Sequence, residues 1–294
     1  MNAAFGRLRS RLWRYGERRI DRLPKAVQLR ASEYGRTVRS ALEILLPEYS
    51  APQREAILCG VVRYRFLNRG IQILHTSAPR LAGAAVRFIP AEASPSVRAA
   101  MRDVTAPLLI LSAHFGPLFL QALALRRFVH GRRVIIVLGE QALYLHKIVP
   151  FVRRLGYEPV LADRHLLTNL RRALRDDPRT AVMIAFDDMH RGRRVVPFLG
   201  SAIATTNAIG LLADIGGARA VSSFWEWSDG RPRLVLAGPY AVDRTLPPGE
   251  RRRRFLDQFY AILEAKVAAF PEQWSGWQYV MSSVSDVPLR RAAS

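Results

Sequence analysis

Cysteine is almost missing from this chain. Cys59 stands alone among 294 residues, which excludes an intrachain disulfide and any multi-cysteine metal site. Such usage suits a reducing compartment. No run of about eighteen apolar residues occurs, so no membrane-spanning helix is expected. Residues Met1 to Lys25 lack the apolar core and small-residue cleavage site of a secretory signal. Repeats and long low-complexity linkers are missing too, which excludes solenoids and propellers. Acidic residues are scarce: 24 carboxylates face 45 lysines and arginines, a net charge of +21. A surface of that sign favours phosphate-bearing or acidic partners. The arginines are scattered along the whole chain and no nucleic-acid reading motif accompanies them, so nucleic acid is not the expected partner.

The apolar half of the composition is enough for a sizeable core. Residues 1–25 are basic and amphipathic. Phe5, Leu8, Leu12, Tyr15, Ile20 and Leu23 roughly follow helical spacing, with arginines between them. A helix of this kind can lie in the interface of an anionic membrane. Residues 26–285 read as one α/β domain and 286–294 as a tail. Within that domain, helices separated by proline turns extend to about residue 100. Thereafter short apolar runs alternate with helical stretches. Strands are expected at 106–112, 134–138, 158–161, 181–186, 219–227 and 233–237. Helices are expected at 118–129, 144–155, 166–175, 206–215 and 248–270. This alternation implies a largely parallel central sheet flanked by helices, with a helical N-terminal region. Ligands in such folds sit at the carboxyl ends of strands.

Four segments carry candidate chemistry. Ser112-Ala113-His114-Phe115-Gly116-Pro117 lies where a buried strand gives way to a helix. A neutral imidazole there is suited to taking a proton near neutral pH. Gly116 lets a substrate approach the backbone and leaves amides available at a helix start. The segment 186–194 holds Asp187 and Asp188, able to orient a histidine, and Arg191, Arg193 and Arg194, able to hold phosphate. Val196-Pro197-Phe198-Leu199-Gly200 reads as a turn, and Thr205 or Thr206 as the N-cap of the following helix. Finally, Pro271-Glu272-Gln273-Trp274-Ser275-Gly276-Trp277 supplies tryptophans that suit a core, an acyl-channel wall or an interfacial anchor, with the core as the default.

In order and spacing, these segments over roughly residues 105–280 resemble the lysophospholipid acyltransferase superfamily. The likeness is greatest to the bacterial lipid A lauroyl/myristoyl acyltransferases and extends to phosphatidylinositol mannoside acyltransferase. It implies a peripheral enzyme on the cytoplasmic face of the cell membrane. Such an enzyme moves a fatty acyl chain from acyl carrier protein or coenzyme A to a hydroxyl or amine of a lipid or glycolipid. Beyond the acyl thioester it implies no cofactor and no metal. It makes His114 the general base, with Asp187, or Asp188 in its stead, supporting the ring. Backbone amides near Gly116 or at the helix start by Thr206 would stabilise the oxyanion. Arg191, Arg193 and Arg194 would hold the phosphopantetheine or the acidic carrier.

The chain departs from the family at one place. The family's His-x4-Asp/Glu acid falls on Phe119, and the next polar residue, Gln121, would point elsewhere on a helix. Without that acid, a more nucleophilic acceptor such as the amine of a peptide or amino-acid-derived product is one alternative. A degenerate membrane- or carrier-binding relative is another. No Gly-x-Ser-x-Gly elbow is present, so no covalent acyl-enzyme is expected.

Overall fold

The computed structural model describes residues 20, 22–77, 89–139, 145–187, 194–228 and 231–281. Most of the amphipathic 1–25 segment and the whole of the 286–294 tail therefore lie outside the described residues. The first helices are α1 (Pro24–Ala31), α2 (Glu33–Leu45) and α3 (Ala51–Ser77). They are followed by the short strand β1 (Ala91–Glu92) and α4 (Pro95–Arg102). The start of α4 is set by Ser94, whose hydroxyl accepts from the Val97 amide at 3.2 Å, with Pro95 in the first turn.

The α/β alternation then runs β2 (Leu108–Ser112), α5 (Leu118–Leu125), β3 (Arg133–Leu138), α6 (Leu145–Arg154), β4 (Glu158–Leu161), α7 (Leu166–Asp176) and β5 (Thr180–Ala185). A hairpin of β6 (Arg194–Phe198) and β7 (Ser201–Thr205) leads into α8 (Ala208–Gly216), β8 (Arg219–Ser228), β9 (Arg231–Tyr240) and α9 (Pro248–Ala269). A single 3₁₀ turn, Pro271–Gln273, and α10 (Trp277–Val280) follow.

Seven strands form one sheet in the order β1-β9-β8-β2-β5-β3-β4. The five from β8 to β4 are mutually parallel; β9 runs antiparallel to β8, and β1 follows β9. Both faces are covered, which is why β2 is apolar and buried along its whole length. Alternation divides it between two cores. Leu109 and Leu111 belong to one core with Leu42, Leu58, Leu174, Leu212 and Phe259; Leu108 and Ile110 belong to the other with Met101, Leu125 and Val152.

The expected strands and helices are present within a few residues, but three stretches differ from expectation, the first being β1, a strand paired with β9 inside the region expected to be helices and turns. Residues 194–205 form the β6–β7 hairpin where only a turn was expected. Its two turn residues, Leu199 (φ 48°) and Gly200 (φ 72°), are both left-handed, the geometry that matches strand twist in a two-residue hairpin. Leu199 is held in that unusual conformation by its amide, which donates to Glu264 Oε1 at 3.0 Å. The helix after it begins at Ala208, with Asn207 as its cap residue rather than Thr205 or Thr206. Thr205 belongs to β7, buried, its hydroxyl paired with that of Tyr260. The Thr206 hydroxyl accepts from the Ala208 amide at 3.2 Å.

Candidate active site

The site is made by the register of two neighbouring parallel strands. β2 and β5 pair so that Ser112 lies beside Ala185, each the last residue of its strand. One further ladder bond, Phe186 N–H to the Ser112 carbonyl at 2.8 Å, keeps the chains in step beyond the sheet edge. Two residues past each strand end stand His114 and Asp187, side by side. β2 is also where the topology switches, since β5 lies on one side of it and β8 on the other. The carboxyl ends of strands at such a point form the usual ligand crevice.

Asp187 is fully buried and accepts three hydrogen bonds. His114 Nδ1 lies 2.9 Å from Oδ1; the His114 backbone amide and the Trp274 indole Nε1–H each donate to Oδ2 at 2.8 Å. Burial alone would raise the carboxyl group's pKa. The His114 charge, the ring hydrogen bond, the indole and the amide outweigh it, and the net shift is below the ordinary value. Asp187 is therefore ionised at neutral pH. An ionised carboxylate only accepts, so His114 Nδ1 carries the ring proton and Nε2 the basic lone pair. The imidazole is 28% exposed, while its carboxylate partner is sealed beneath it.

The C-terminal segment straps this pair in place. The His114 carbonyl accepts from both the amide and the hydroxyl of Ser275 at 2.9 Å, and Phe115 bridges to Trp274. Gln273 fixes the strap to β8: its amide group exchanges two 2.8 Å hydrogen bonds with the backbone of Trp227. Trp274 and Trp277 are fully buried, with the Trp277 indole donating to the Pro271 carbonyl at 2.9 Å. Tyr279 lies against the imidazole, ring centroids 5.4 Å apart. Sequence reasoning placed these tryptophans in the core and missed that one of them grips the site carboxylate. Its only sequence signal was the Pro-Glu-Gln-Trp segment itself.

Gly116 has φ of +70°, and a Cβ there would come within 2.6 Å of Trp225. Its role is thus a tight passage of backbone over an indole. The expectation that the amides around it are available for an oxyanion is corrected. The His114 amide serves Asp187, the Phe115 amide bonds the Ala113 carbonyl at 2.6 Å, and the Gly116 amide faces the Gln273 carbonyl at 3.4 Å.

Gln121 does point elsewhere, as its position on α5 required. It is fully buried and links Ser112 Oγ at 2.8 Å to Ser223 Oγ at 2.7 Å, a polar clamp across β2 and β8. Phe119 is on α5, but its side chain lies outside the described residues, as do Asp188, Arg191 and Arg193. Arg194 is described. Its guanidinium pairs with Asp257 on α9 at 3.3 Å, so the hairpin is tied to that helix. Among the described residues, no three His, Cys, Asp or Glu side chains converge as a metal-ligand set. Nor is any described helix long and apolar enough to cross a membrane.

No family model matches the chain, and no curated protein matches it.

Proposed function

We propose that the chain is an acyltransferase that carries a fatty acyl group from a thioester to the hydroxyl or amine of a lipid or glycolipid acceptor. The observation that carries this reading is the His114–Asp187 pair: a partly exposed imidazole at a strand tip, its Nδ1 2.9 Å from a buried, ionised carboxylate. That is the arrangement of a general base whose charged form is stabilised from behind. His114 Nε2 takes the proton of the attacking O–H or N–H. The acceptor's oxygen or nitrogen bonds to the thioester carbonyl carbon, whose electron pair moves to oxygen. As that oxyanion collapses, the C–S bond breaks and the leaving thiolate receives the proton from the imidazolium. The oxyanion's donors are the orphan amides of the opening turn of α5, Leu118 and Phe119, which no helix supplies with internal partners. The Leu120 and Gln121 amides are already bonded to the Pro117 carbonyl at 3.0 and 3.1 Å.

Asp187 supplies the support whose loss the Phe119 position suggested. The reason to prefer an amine over a hydroxyl acceptor, or a degenerate protein over an enzyme, is correspondingly weakened. The donor is acyl carrier protein or acyl coenzyme A, and the site is placed at the cytoplasmic face of an anionic membrane. In keeping with that location, the apolar residues Leu23 at the cap of α1, Val27 on α1 and Ile44 on α2 are exposed.

The test is thioester turnover by the full chain with acyl coenzyme A or acyl carrier protein, read as thiol release, with acylated products identified by mass spectrometry. His114→Ala is expected to lower the rate by about 10²–10⁴ while leaving the fold intact. Turnover unchanged by that substitution would remove the proposal. Acylation confined to amine acceptors would restrict it to that class.

A further inference from the structure

A second site, at the opposite end of α5 from His114, has no carboxylate of its own. Arg98 and Arg102 on α4 and Arg127 just beyond α5 converge with Phe128, Ile89 and Pro90 on a cavity of about 380 Å³. Several other arginines of the chain are neutralised by a carboxylate. Arg251 and Arg252 both reach Asp214 at 2.6 Å, Arg233 reaches Glu226 at 2.7 Å, and Arg219 reaches Asp103 at 2.7 Å. Arg132 instead occupies the carbonyls that end α4, including Met101 at 2.8 Å. None of Arg98, Arg102 and Arg127 forms an ion pair among the described residues. Arg98 Nε donates to the Ala93 carbonyl at 3.2 Å, and Arg127 donates through one terminal nitrogen to the Ile89 carbonyl at 2.8 Å. The Arg127 Nε–H is buried with no hydrogen-bond partner. Burial, and then the charge of Arg98, push the Arg127 guanidinium below its ordinary pKa.

Three like charges around one cavity repel one another, and a buried donor without an acceptor costs further stability. Both terms are relieved by an anion with several acceptor oxygens. Guanidinium forks match the oxygens of a phosphate better than a single point charge would. The Phe128 ring steadies two of them, with Arg98 and Arg127 at 5.9 and 5.2 Å from its centroid. The cavity is larger than one phosphate group, and Ile89 and Pro90 give it an apolar wall for whatever bears that group.

We infer that this cavity is a binding site for the phosphate group of a phosphomonoester or diphosphate, distinct from the His114 site and independent of whether that site is catalytic. The chemistry is shared by a soluble phosphate compound and a lipid headgroup, so the test has two arms. In one, inorganic pyrophosphate is titrated into the full chain by calorimetry. In the other, the chain is floated with vesicles of equal parts phosphatidylcholine and phosphatidic acid, against phosphatidylcholine alone. The Arg98→Gln/Arg102→Gln double variant is compared with Arg171→Gln/Arg172→Gln, which removes the same charge from equally exposed positions on α7 that do not line the cavity. Circular dichroism checks that both are folded. The pocket variant is expected to lose affinity by about tenfold or more, and the control by no more than about twofold. That difference in the pyrophosphate arm identifies a soluble ligand; in the vesicle arm alone it identifies a headgroup. Equal effects of the two variants in both arms, or no binding in either, would overturn the inference.

Discussion

Replacing Asp187 by asparagine separates charge from shape at the candidate site. Oδ2 of Asp187 accepts from two fixed donors, the His114 amide and the Trp274 indole, both at 2.8 Å. An asparagine keeps both bonds only by placing its carbonyl oxygen there, which turns its NH₂ toward His114 Nδ1. That nitrogen must then accept, so the ring proton moves to Nε2 and the base loses its lone pair on the side where it is needed. The cost is a wrong tautomer as well as a lost charge. For a histidine oriented by a buried aspartate, this substitution lowers turnover by about 10⁴, equivalent to roughly 5.5 kcal/mol of barrier. Stability should change far less, because every donor retains a partner. By contrast, Asp187→Ala leaves three donors facing a cavity, at about 1–3 kcal/mol each. The assay is thioester turnover beside thermal unfolding, with histidine nitrogen NMR to report the tautomer. Turnover within about threefold of wild type, or an Nδ1–H tautomer that survives the substitution, would refute the reasoning.

Acid should weaken the protein through the same carboxylate. The pKa of Asp187 is lower folded than unfolded, so its stabilisation is complete above the ordinary carboxylate range and is lost as pH falls through the depressed value. Urea unfolding across the acid range should show that slope, and the slope should be shallower in Asp187→Asn. Trp274→Phe removes one charge-assisted bond to Oδ2 while keeping an aromatic ring. It should cost about 1.5–3 kcal/mol by denaturant unfolding. The same variant should slow turnover as well, which a purely packing role for Trp274 would not produce. Gly116→Ala forces a side chain into left-handed backbone against Trp225. A loss of roughly 2–4 kcal/mol is expected by the same measurement.

Much of the architecture was readable from local pattern alone. The buried runs at β2, β3 and β5 are short, apolar and bounded by turns, and the helical stretches between them are longer; these features depend on neighbours along the chain. The β6–β7 hairpin was less visible because Pro197 and the charged Arg194 interrupt its alternation, and its turn puts a leucine where a glycine or asparagine would have announced it.

His114 and Asp187 could each be picked out by sequence as a polar residue ending an apolar strand. Their meeting could not. It needs β5 to slide in beside β2, ahead of the earlier strand β3, and to stop in the register that sets Ser112 against Ala185. A slip of one residue would have turned Asp187 to the other face. Trp274 joins them from far along the chain, because a 3₁₀ turn and Gln273 fold the C-terminal segment back over the sheet edge. Period and composition specify elements, since those are short-range properties. The juxtaposition of an imidazole, a carboxylate and an indole is a long-range one, decided only when the strands had chosen their neighbours and their register.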